Sequence, residues 1–206
     1  MTEKPILFSG EMVKAILNGR KTQTRRAIKP QPGDDYTKNS KISYDADGDC
    51  IWWRLPGPMV MTGAKNKFGK IGDRLWVKET FQPVQLASEV TQWRYRATDK
   101  KGLAPWKPSI FMPRKASRIT LEITGIRVER LKDISNEDCF AEGLPADTTK
   151  GNRTWYGDLW EEINGKGSWD ENPWVWVVAF KKVFNIPSSA TPQAGLEPRK
   201  RNGGEQ

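Results

Sequence analysis

Residues 9–26 read SGEMVKAILNGRKTQTRR, and this stretch sets the reading of the rest. Val13, Ile16 and Leu17 fall at i, i+3 and i+4, the spacing of one apolar helix face. Ser9 stands where an N-cap belongs, and Glu11 lies in the first turn, where the helix dipole favours negative charge. Asn18-Gly19 is a stop, because glycine tolerates the left-handed backbone that ends helices. Directly after it come Arg20, Lys21, Thr22, Gln23, Thr24, Arg25 and Arg26. If residues 21–26 run extended, Arg20, Thr22, Thr24 and Arg26 share one face, and Lys21, Gln23 and Arg25 the other. By composition alone, the cluster reads equally as a solvated basic loop.

The chain has 206 residues, enough for one domain with insertions or two small ones, and enough to bury a core without staples. A net charge of +9 and a pI near 9.6 favour a polyanionic partner, nucleic acid first. Arg199, Lys200 and Arg201 of the terminal stretch are a small share of the 34 basic residues. There is no histidine, which excludes Ser-His-Asp and Cys-His catalysis and His-containing zinc sites. Cys50 and Cys139 lie far apart and outside any CxxC spacing, so neither a zinc site nor a disulfide is implied. A reduced, cytoplasmic compartment fits this usage. No stretch nears the roughly 18 apolar residues of a membrane span, and no leader pattern opens the chain. No membrane partner is expected, and nothing sets an oligomeric state. Catalysis would fall to Lys, Glu or Asp, Thr or Ser, Tyr, Cys, or a carboxylate-held metal.

Short strands dominate the rest. Lys4 to Phe8 reads as a first strand running into the helix cap. Pro30 to Asp35 breaks regular structure, and residues 33–50 read as a loop with a weak hairpin at Asp47-Gly48. Ile51 to Arg54 reads as a strand. Gly72-Asp73 is a turn launching a strand in which Leu75, Val77 and Glu79 alternate with Trp76 and Lys78. Residues 82–117 look irregular, apart from a strand at Trp93 to Arg96. Ile119, Leu121 and Ile123 alternate with polar residues; after Gly125 the apolar phase moves to Ile126 and Val128, which predicts a bulge or bend. Ser135 caps a short helix ended by Gly143, with Glu142 just before that glycine. Tyr156, Leu159, Trp160 and Ile163 mark a helix over 155–163. Trp174 to Phe184 is apolar on both faces, as a doubly covered strand would be. Residues 186–206 read as a disordered basic tail. These elements predict an α+β, mainly β domain: a compact β-barrel with small helices.

Two motifs in this order, Gly19-Arg20-Lys21-Thr22 with Thr24 and Arg26, then Gly72-Asp73-Arg74-Leu75-Trp76-Val77, resemble the ASCH domain of the PUA-like superfamily. With Lys4 to Phe8 and Lys78 to Phe81, the chain looks like the long phage and prophage version. The resemblance covers residues 4–184. It implies a small PUA-like barrel over 1–185, with insertions at about 31–69 and 82–117, and RNA or a nucleoside as partner. The family's N(4)-acetylcytidine amidohydrolase deacetylates its substrate with a lysine, a threonine and a glutamate, without a metal or other cofactor. By position these match Lys21, Thr24 and Glu142, which makes a modified-pyrimidine hydrolase the leading reading. A nucleic-acid-binding module or a phage interaction protein are the alternatives.

The trio also makes chemical sense. Amide hydrolysis needs a nucleophile, a base and an acid for the leaving amine. Without histidine, a threonine hydroxyl activated by a lysine of lowered pKa is one of few options. Arg20, Thr22, Arg25, Arg26, Lys78 and Glu79 are candidate substrate contacts, with Arg26 to hold an oxyanion or phosphate. Trp52 and Trp53 are candidate base-stacking platforms. Asp73 reads as a turn residue rather than an acid. One conflict stands: Lys21 and Thr24 differ by three positions, so a regular strand would point them to opposite faces.

Overall fold

The computed structural model describes residues 1–31, 41–44, 50–54, 61–86, 89–99 and 104–183, of which 41–44, 50–54, 61–63, 86 and 89–91 are described as backbone. Strand β1 (Glu3–Leu7) leads into helix α1 (Gly10–Leu17). The Met12 N–H donates to Ser9 Oγ at 3.4 Å, so Ser9 is the cap the sequence predicts. Met12, Val13, Ala15 and Ile16 are buried, and Leu17 packs at their rim. Gly19 then adopts φ +74°, turning the chain into β2 (Gln23–Ala27).

The main sheet has five strands in the order β1-β6-β9-β10-β2, with β6 at Arg74–Lys78, β9 at Thr120–Arg130 and β10 at Trp174–Val183. β1 and β6 pair parallel; the other neighbours are antiparallel. Strand β10 is interior and covered on both faces, as its two apolar faces require. Trp176, Val178 and Phe180 enter a core with Ile6, Phe8, Val13, Ile16, Leu75 and Leu121. Val175 and Val177 enter a second core with Leu131, Cys139, Tyr156 and Trp160. That second core is closed by α2 (Asn136–Ala141) and α3 (Asn152–Asn164). The phase shift at Gly125 is a bulge: Ala179 pairs with Gly125 and Phe180 with Ile123, leaving Thr124 unpaired.

The sheet is not a closed barrel among the described residues, because β1 and β2 are its two edges. A side chain spans the seam instead of a ladder: Arg26 Nη2 donates to Leu7 O at 2.7 Å, its guanidinium 5.4 Å from the Phe8 ring. Strands β3 (Lys41–Tyr44), β4 (Cys50–Arg54) and β5 (Met61–Lys65) form a separate antiparallel sheet, with β3 and β4 as the predicted hairpin. The hairpin's Asp47-Gly48 turn and the tail at 186–206 lie outside the described residues. Residues 81–95 hold a ribbon, β7 (Phe81–Leu86) and β8 (Glu89–Tyr95), where the sequence predicts only its second strand. Pro83 hides the first; a two-stranded ribbon tolerates it because each strand is an edge.

Candidate functional site

The chain after Gly19 is pinned between two helix ends. The Arg20 and Lys21 N–H groups donate to Ala15 O at 2.9 and 3.1 Å, and Thr22 N–H donates to Ala141 O at 2.8 Å. Lys21 forms an isolated antiparallel bridge with Glu142. Its side chain is fully buried, and Nζ donates to Glu142 Oε2 at 2.6 Å and to Glu142 O at 2.9 Å. Gly143 sits beside this contact at φ +100°, where an added Cβ would lie 3.0 Å from Ala15 Cβ and 3.2 Å from Lys21 Cβ. Only glycine fits both the angle and the space.

Arg25 holds the other side of Glu142. Its Nη1 donates to Glu142 Oε1 at 3.1 Å, Nη2 to Asp138 Oδ2 at 2.7 Å, and Nε and Nη2 to Glu129 Oε1 at 2.9 and 2.5 Å. Gln23 Nε2 donates to Asp138 Oδ1 at 2.8 Å, and Arg127 reaches Glu129 and Asp138, each at 2.9 Å. Gln23 and Arg25 thus share one face, turned to α2, as the alternation predicts, while Lys21, ahead of the strand, meets Glu142 with its Nζ 5.8 Å from the Phe8 ring. Three carboxylates meet three cations there. Removing one partner of such a buried set typically costs about 3–5 kcal/mol, because it strands a charge away from water.

Thr24 lies on the other face of β2, opposite Val178 in the ladder. The conflict over spacing resolves at the strand's end. The strand proper begins at Gln23, so Lys21 lies outside it, and Thr22 between them is exposed. A cavity of about 40 Å³ wraps this end, lined by Thr24, Arg25, Arg26, Glu142, Tyr156 and Trp160 among others. Thr24 and Glu142 both line this cavity, and Glu142 touches Lys21. Trp160 is buried, and its Nε1–H has no hydrogen-bond partner among the described residues. A buried donor left unpaired is costly, on the order of 1–3 kcal/mol, and marks a place for an acceptor.

The electrostatics follow from burial. Desolvation holds the Lys21 ammonium below its ordinary range; Glu142 opposes this, while Arg26 and Arg25 reinforce it. For Arg25, burial works against the charge, but Glu142 and Glu129 prevail and raise its pKa. Asp138 is likewise pushed up by burial, yet Gln23, Arg25 and Arg127 hold it below its ordinary value. Burial drives Tyr156 well above the usual phenol range, and Glu142 adds to this. Cys139 is pushed up to about 11 by burial, so its thiol is inert rather than nucleophilic.

The other predicted contacts distribute differently. Arg20 Nη1 clamps Gly143 O at 2.9 Å and Leu144 O at 3.3 Å, and Thr22 faces solvent. Arg26 spans the seam and lines the cavity. Lys78 and Glu79 do not line it. Lys78 Nζ donates to Ile110 O and sits 5.5 Å from the Trp76 ring. Glu79 is buried in a two-pronged pair with Arg118, at 2.8 and 2.9 Å, and that guanidinium lies 4.0 Å from the Tyr95 ring. In the sheet, β9 and β10 stand between their strand and β2, which explains the separation. Trp52 and Trp53 belong to β4, and their side chains lie outside the described residues. Asp73 is the turn residue expected: Thr2 and Lys70 N–H groups donate to it at 2.6 and 3.2 Å and hold it down to about 2. The sequence reading missed Glu129, Asp138 and Trp160 and left Tyr156 open. Only the surplus of arginines at 25–26 signalled that carboxylates must come from elsewhere. Among the described residues no group of three His, Cys, Asp or Glu side chains could hold a metal ion, and no helix is long and apolar enough to cross a membrane.

No family model and no curated protein matches the sequence. Two solved structures are similar to it. One is an ASCH domain from Lactobacillus crispatus JV V101, 10% identical, covering 88% of this chain and 79% of that one at a TM-score of 0.41. The other is a DUF984 protein from Enterococcus faecalis V583, 10% identical, covering 89% and 80% at a TM-score of 0.40.

Proposed function

We propose that the protein is an amidohydrolase that removes an acyl group from the exocyclic amine of a modified pyrimidine such as N(4)-acetylcytidine. The observation that carries this reading is the small cavity shared by Thr24, Glu142 and Trp160, beside the 2.6 Å Lys21–Glu142 contact. Lys21, whose burial favours the free amine over the ammonium, takes the Thr24 hydroxyl proton in its uncharged form as the oxygen attacks the amide carbon. The proton passes along the Lys21–Glu142 contact, and Glu142 delivers it to the departing amine. The C–N bond breaks, leaving an acyl ester on Thr24, which water cleaves by the same relay. Trp160 Nε1–H supplies a donor for the acyl oxygen, where negative charge develops. Arg25 anchors Glu142 rather than touching substrate.

The pairing of the basic cluster argues against simple phosphate gripping by residues 20–25. Lys21 and Arg25 are buried and already bound to carboxylates. The test is incubation with N(4)-acetylcytidine, wild type beside Lys21→Ala. The expected result is release of cytidine, reduced at least about 10²-fold in the variant. Equal release by both, or none by the wild type, refutes the reading.

A further inference from the structure

The seam between β1 and β2 opens into a second, larger cavity of about 600 Å³. It adjoins the first: Met12, Arg26, Ala27, Ile163 and Asn164 line both. The small cavity is too small for a whole nucleoside, so the rest of a substrate whose acyl end enters it would lie in the larger one. Its walls are specific in sign. Arg26, Lys29 and Lys67 line it, and no aspartate or glutamate does. None of the three cations forms an ion pair among the described residues, in contrast to Lys21 and Arg25 a few residues away. Lys67 is set by a fixed turn, in which Asn66 accepts from Phe68 N–H at 2.8 Å and donates to Gly69 O at 2.5 Å. Phe8, Phe68 and Met12 supply apolar wall, and Thr80 and Asn164 neutral polar groups. An uncharged nucleoside needs apolar wall and hydrogen bonds but not three unpaired cations. A phosphorylated one needs all of these.

We infer that the substrate carries a phosphate, held in the seam cavity by Arg26, Lys29 and Lys67 while its modified base edge enters the Thr24–Glu142 cavity. This rests on the reading under Proposed function for the base, but not for the phosphate. Phosphate monoester and diester share this chemistry: the first means a free nucleotide, the second a nucleic-acid strand.

The probes are cytidine, cytidine 5′-monophosphate and a short cytidine-containing oligoribonucleotide, titrated at low and high salt against the full chain and the Lys29→Ala/Lys67→Ala variant. The monophosphate should bind at least about tenfold more tightly than cytidine at low salt, with the gap narrowing as salt screens the charges. In the variant, which keeps Arg26, the gap between the two affinities should shrink severalfold. A further gain for the oligoribonucleotide over the monophosphate assigns the strand as ligand; no gain assigns the free nucleotide. Equal affinities for cytidine and its monophosphate in the wild type overturn the inference, as does a preference left undiminished by the double substitution. Because binding is read without turnover, its failure is separable from failure of the hydrolase reading. Phosphate preference without hydrolysis sinks only the latter; hydrolysis without phosphate preference sinks only the former.

Discussion

At the scale of the residue, the proposed chemistry rests on the buried lysine. Lys21 is shut away from water, which favours the free amine a base requires. The acid limb of kcat/KM should therefore follow Lys21. Activity rises with pH through an ionisation below the ordinary 10.5, and is lost as the pH falls and the amine protonates. A pH–rate profile checks this; a flat acid side would detach Lys21 from catalysis. Glu142 has a second role, because it neutralises both Lys21 and Arg25. Glu142→Gln should destabilise the fold by about 3 kcal/mol in urea titration, and Lys21→Met in the same chain should recover part of that loss. Trp160→Phe deletes the unpaired donor while keeping an aromatic ring, at the cost of part of the indole's packing in the second core. It should lower kcat about 10²-fold with KM little changed. The sequence proposes Lys21, Thr24 and Glu142 from a motif and a helix end, and the structure joins Lys21 to Glu142 and sets Thr24 and Glu142 on one cavity. Their supports were not legible in the sequence. Glu129 and Asp138 stand 104 and 113 positions from Arg25, and no local pattern links them to it. Nor does composition distinguish an arginine that meets solvent from one folded over three carboxylates.

At the scale of the element, the site exists because β2 starts late. A ladder running from Lys21 would send Thr24 and Lys21 to opposite sides, whereas the strand begins only at Gln23, so Lys21 bonds Glu142 while Thr24 lines the cavity that Glu142 also lines. Gly143 enforces the close approach. Gly143→Ala combines left-handed strain with a clash against Ala15 and Lys21. It should destabilise by more than about 1 kcal/mol and depress turnover as well, measured by denaturation and rate together. Most elements were legible, because capping and alternation act locally: Ser9 and Ser135 cap as predicted, and the bulge appears where the apolar phase shifts at Gly125. Strand β7 was not, since a proline inside it reads as a break until a ribbon edge is known to receive it. The turn before β6 adds a pH handle. Asp73 falls to about 2 from an ordinary 3.8, so its contribution to stability is present above about pH 4 and fades as the pH drops toward 2. Asp73→Asn should flatten that part of the stability–pH curve.

At the scale of the molecule, the sequence points to a barrel, while the described sheet stops short of closing. Ladder pairing is local enough to predict strand by strand; whether β1 meets β2 depends on what α1 and Arg26 place between them. The unclosed seam holds the larger cavity, and its end holds the smaller one. The net charge of +9 likewise divides in a way composition hides, with Lys21 and Arg25 paired internally while Arg26, Lys29 and Lys67 face the seam. All of this converges on one oxygen. The most direct measurement is cytidine release from N(4)-acetylcytidine by the wild type, Thr24→Ser and Thr24→Ala under one set of conditions. The account predicts turnover by the wild type, a reduced but measurable rate for serine, and a loss of about 10²-fold or more for alanine. Equal rates for wild type and Thr24→Ala would contradict it.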